Sequence, residues 1–167
     1  MEHDNAQGEA ATTFVRHLDE QYRRLHTRSC ALIEIIPAEQ LYRQPRTSAF
    51  PVDSCGEHLL RSAAAVEQTF GGITANLWDD PFEWTLPEAL PAPSHVAAYL
   101  KEVEATRQRG FARLTTDASL RKEIMLPSGE MQTLCALLLE TLARAAHHQG
   151  RAFASFRHFC DQRLPEV

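Results

Sequence analysis

The stretch "EMQTLCALLLETLARAAHHQGRAFASFRHF", Glu130 to Phe159, decides how this chain folds. Leu134, Leu138, Ala145, Ala152 and Phe156 recur in it at helical intervals, the mark of one long amphipathic helix rather than a strand. At about 100° per residue, His148 falls within roughly 60° of the centre of that apolar stripe. His147 points toward solvent, and Arg144 stands one turn before His148 at the border of the buried face.

Three more segments carry the same period. The first runs from about Ala10 to Ile36, with Phe14, Leu18, Tyr22, Leu25, Leu32 and Ile36 on one face, and Pro37 ends it. A second opens at "SCGE", Ser54 to Glu57, a capping box in which Ser54 and Glu57 each satisfy a free backbone N–H of the other. Its inward stripe is Cys55, Leu59, Ser62, Val66, Phe70, Ile73 and Leu77, weakened late by Gly71 and Gly72. The proline-rich "WDDPFEWTLPEALPAP", Trp78 to Pro93, is too apolar for a free linker; its Trp78 and Trp84 are expected to cover one end of the helices or line a pocket mouth. Ser94 is expected to cap a third helix reaching about Leu114, and a link containing "LPSG" leads to the helix quoted first. Four long helices with short or medium links predict an all-α antiparallel four-helix bundle, one domain over residues 10–163 behind a flexible polar tail, 1–9.

Composition narrows the function. A chain of 167 residues buries a real core as a single domain. Its net charge of −5 speaks against a general nucleic-acid binder. No apolar run approaches the roughly 20 residues that span a bilayer, and the opening "MEHDNAQGEAATT" lacks the pattern of an export signal. The expectation is a cytoplasmic protein. Cys30, Cys55, Cys135 and Cys160 form no CxxC pair and read as small apolar residues. His95 reads as a surface residue, His17 and His26 have no partner four residues on, and Glu140 is placed to pair with Arg144.

The order of these segments resembles the DinB/YfiT-like superfamily of four-helix-bundle proteins, over about Phe14 to Arg157. "ALIEIIPAEQLYRQP" matches that family's first-helix end and following link. "SCGEHLLRSAAAVEQ" resembles its second-helix motif, commonly Trp-Ser-x-x-Glu-x-x-x-His-Leu. "LPSGEMQTLCALLLETLARAAHHQGRA" resembles its last helix, commonly His-x-x-x-His-Arg-Gly-Gln. The resemblance implies a divalent metal, nickel or zinc, on three histidines, and an activity such as thiol S-transfer with bacillithiol or mycothiol, or hydrolysis. It also implies homodimers in some members.

The chain departs from the pattern at the ligands. The family's second-helix histidine falls on Arg61 and the first of the last helix on Arg144, so that only His148 is kept. A guanidinium stays protonated and offers no lone pair to a metal. Two expectations follow. Arg61, Arg144 and His148 line a pocket for a small anion, a carboxylate or a phosphate. Alternatively, His58, one turn before Arg61 and nearer the inward stripe, joins His148 in a rebuilt metal site with a carboxylate or water. Three classes stand side by side: a metal-free binder of a small anion, a metal-dependent enzyme acting on a thiol-containing molecule, and a dimeric or partner-binding bundle. No catalytic residue is assigned.

Overall fold

The computed structural model describes residues 12–45, 52–83 and 85–165. The expected tail, 1–9, and Trp84 lie outside them. The described chain is mostly helical, with four long helices: α1, Thr13–Ile35; α3, Cys55–Ala75; α4, Pro93–Phe111; and α5, Leu134–Arg157. A single turn, α2, Ala38–Leu41, follows α1, and 3-10 turns lie at Pro81–Glu83 and Asp117–Arg121. A small antiparallel pair, β1 (Glu123–Met125) and β2 (Met131–Thr133), precedes α5. The all-helical expectation gives way here. Gly129, at φ +86, turns the chain in "LPSG", and Met131–Thr133 pairs back on β1. Alpha-helix therefore starts at Leu134 rather than Glu130, with Thr133 as its cap, accepting from the Ala136 N–H at 3.3 Å.

The other ends show how local chemistry sets boundaries. The capping box at α3 is present: Ser54 Oγ accepts from the Glu57 N–H at 3.3 Å, and Glu57 Oε2 accepts from the Ser54 N–H at 2.6 Å. Ser94 does not cap α4. Ala92 occupies the cap position and Pro93 the first turn, where its missing N–H is no loss. At the start of α1 the side chain in the cap position, Thr12, makes no capping bond to the first turn. The carboxylate of Asp117, about a hundred residues on, accepts from the Phe14 and Val15 N–H groups at 3.1 and 2.9 Å. Alpha-3 stops at Asn76, in the left-handed region at φ 56, so Leu77 leaves the stripe and is exposed. Phe14 is 44% exposed because Val15 takes the inward place in the first turn of α1. Of the other expected core positions, Leu18, Tyr22, Leu25, Leu32, Ile36, Cys55, Leu59, Ser62, Val66 and Phe70 are buried, and Ile73 is half-buried.

Packing centres on α3, which lies against both α4 and α5, while α1 touches α4 and α5. Tyr22, Phe70 and Phe111 meet edge-on or tilted, with ring centroids 5.3–5.6 Å apart, joining α1, α3 and α4. Tyr22 is satisfied by donating to the Leu138 carbonyl at 2.6 Å. Buried Arg107 of α4 is neutralised by Asp19 of α1 and Glu104. Trp78 folds back over Gly72, where any side chain would strike the indole. The four cysteines are free, Cys55 buried with its thiol pushed up to about 12 by that burial, the others half-buried. Among the described residues no helix is long and apolar enough to cross a membrane.

Candidate functional site

The site lies where α3 and α5 cross. Small residues bring the two helices close: Ala63, Ala64 and Ala65 on α3, Ala145 and Ala152 on α5, all buried. Two cross-links fix the contact. Ser62 donates to the Ala145 carbonyl at 2.8 Å, and the Thr69 and Thr141 hydroxyls stand 2.7 Å apart. Gln149, next to His148, fixes α5 against α1 by donating to the Leu25 carbonyl and Ser29 Oγ at 2.6 and 2.8 Å. Large side chains at this crossing would hold His58 and His148 apart. Instead their ring centroids are 5.7 Å apart.

The two histidines differ in access. His58 is 1% exposed, His148 half-buried and open to a pocket, and His147 exposed. Neither ring nitrogen of His58 has a hydrogen-bond partner among the described residues, nor has Nδ1 of His148. Burial penalises the imidazolium and moves the His58 pKa down to about 4; the weaker field of Asp53 opposes it, and Arg151 and Arg61 add to it. His148 is lowered too, by burial first and then by His147, Arg61 and Arg151. Both rings are therefore neutral at physiological pH, in a field of mixed sign in which Arg61 and Arg151 stand against Asp53.

The arginines are arranged around that field. Arg61, with 38% of its side chain exposed, donates from Nε to Asp53 Oδ2 at 3.1 Å and lies on the Phe82 ring, its guanidinium carbon 3.9 Å from the centroid. Arg144 does not pair with Glu140. It reaches across to α3 and donates to Gln68 Oε1 at 3.4 Å, while Gln68 is held by donating to the Trp78 carbonyl at 2.9 Å. Arg61, Arg144 and His148 line one pocket of about 70 Å³ with Gln68, Asp80 and Phe82. That is room for a few waters or an anion of a few heavy atoms.

Asp53, Gln68 and Phe82 were not singled out from the sequence. Asp53 stands just before the capping serine, outside the helix that carries His58 and Arg61, so helical spacing does not group it with them. Phe82 sits in an irregular segment whose path no periodicity gives. His95 is exposed, as expected, whereas His26 does have a partner four residues on: its Nε2 lies 3.5 Å from Cys30 Sγ.

A metal on the three family positions does not fit this donor set, because Arg61 and Arg144 supply no lone pair. Among the described residues no three His, Cys, Asp or Glu side chains are arranged to hold an ion as they lie. His58 Nδ1 is 4.0 Å from Asp53 Oδ2, too far for a hydrogen bond. Comparison of the chain with protein-family models, with curated proteins and with solved structures finds no match.

Proposed function

We propose that this chain is a DinB-like antiparallel four-helix bundle in which the metal-ligand positions have become an anion-binding pocket. The observation that carries the reading is the convergence of Arg61, Arg144 and His148, from two helices, on one small cavity. The four long helices and the placement of positions 61, 144 and 148 around one point support the family reading, since three residues so far apart in sequence meet where that family assembles its site.

The chemistry suits a small carboxylate or phosphate. Phe82 and Asp53 hold the Arg61 plane in place, so its terminal N–H groups are oriented before a ligand arrives. Arg144 is held only by a long bond to Gln68, which an incoming oxyanion replaces with a stronger charge-assisted one. A neutral His148 offers an N–H and carries no charge that would need burying with the ligand. The role is binding a small anionic molecule in the cytoplasm.

Calorimetric titration of inorganic phosphate, and separately of acetate, tests this. The expected result is saturable binding at one site, weakened about tenfold or more in Arg61→Met/Arg144→Met, since each charge-assisted hydrogen bond contributes roughly 1.5–3 kcal/mol. Equal binding by the wild type and the double variant removes the reading.

A further inference from the structure

Asp80 stands on the wall of the anion pocket, with Arg61, Arg144 and His148. A carboxylate there opposes the entry of a plain oxyanion, since like charges at close range repel. Nor does it neutralise the arginines. Among the described residues Asp80 forms no ion pair, and the carboxylate that Arg61 holds is that of Asp53. It is not a loose surface acid either. Its Oδ1 accepts from the Phe82 N–H at 3.0 Å and its carbonyl from the Glu83 N–H at 3.1 Å, which fixes the side chain at the turn Pro81–Glu83. Oδ2 carries no hydrogen bond within the described residues and remains to accept one.

A second acceptor lines the same pocket. Gln68 donates from Nε2 to the Trp78 carbonyl at 2.9 Å, which orients its amide so that Oε1 receives the Arg144 guanidinium at 3.4 Å. An oxyanion that takes Arg144 leaves that half-buried oxygen without a donor, and an unpaired acceptor is costly there. The pocket therefore presents two cationic donors and, once they are engaged, two acceptors. A ligand that is only an anion satisfies half of it.

We infer that the ligand is a small zwitterion, an amino acid, with its carboxylate on Arg61 and Arg144 and its ammonium on Asp80 and Gln68 Oε1. This rests on the anion-pocket reading and narrows it. An ammonium brings three N–H donors and no acceptor, which suits a carboxylate beside an amide oxygen. Size points the same way: a cavity of about 70 Å³ admits a few heavy atoms and no long side chain. Ala64, Ala65 and Phe82 complete the wall with no further charge. Asp80 is exposed, so its attraction is screened, and the preference it confers is about fivefold rather than hundredfold.

Glycine and propionate decide the matter, being close in size and differing in an ammonium against a methyl group. Each is titrated calorimetrically into full-length protein at pH 7 and constant ionic strength, beside phosphate and acetate in separate runs. Glycine is expected to bind about fivefold or more tightly than propionate. Asp80→Asn is expected to bring glycine down to the level of propionate while propionate binds no more weakly. Asparagine keeps an oxygen for the Phe82 N–H, so the turn is preserved, and the wild-type comparison needs no variant at all. Propionate bound as tightly as glycine by the wild type overturns the inference and leaves the anion reading standing. A glycine preference that survives Asp80→Asn overturns it equally. Binding of none of the four compounds removes the inference and the anion reading together.

Discussion

His58 is the most informative single residue. Its ring is neutral in the folded chain, with the pKa lowered from 6.5 to about 4 by burial. The unfolded chain therefore binds a proton between those values that the folded chain refuses, and stability falls as pH drops from 6.5 toward 4. Above 6.5 the group contributes no pH dependence. The full loss is about 3 kcal/mol. His148 and His26, also lowered by burial, act with the same sign. Glu20 and Glu104, whose pKa values lie below 4.5, destabilise the fold on protonation only at more acid pH. Urea unfolding of metal-free protein between pH 7 and 5 thus isolates the histidines. His58→Leu, which removes two unpaired nitrogens from the core, is expected to be as stable as the wild type or more so at pH 7. It should also lose less stability on acidification; an unchanged acid slope would refute the assignment to His58.

At the scale of elements, site geometry depends on how α3 begins and how closely it meets α5. The capping box sets the first turn of α3, and Asp53 and His58 flank it directly. Ser54→Ala is expected to cost about 1 kcal/mol in chemical unfolding; a loss near zero would mean that the turn is held by other contacts. This start signal was plain in "SCGE", as was the inward stripe as far as Phe70. The boundaries that escaped the sequence did so for stated reasons. Alpha-1 is capped by Asp117, a partner about a hundred residues away. The three-residue strands before α5 are too short to show a period of two. Leu77 fits the stripe by spacing but lies beyond the left-handed turn at Asn76.

For the whole molecule, periodicity showed four long helices and the inward position of His148, because burial repeats along each helix. The expectation that Arg61, Arg144 and His148 share a pocket came from a motif resemblance, and the three side chains line one cavity. No motif points to their partners. Asp53, Gln68 and Phe82 reach the site through the packing of a loop and a cap, where no repeat reports orientation. The exchange of Glu140 for Gln68 as the partner of Arg144 has the same origin, since a contact across helices wins over a local one. The account as a whole rests on one claim, that these helices assemble a pocket for a small oxyanion. A crystal structure grown with selenate tests it most directly, because anomalous scattering locates selenium without reference to any prior phase. The account expects antiparallel α1, α3, α4 and α5 and a selenium peak within hydrogen-bonding reach of Arg61, Arg144 and His148. Ordered, lattice-free side chains at that pocket with no anomalous peak between them would contradict it.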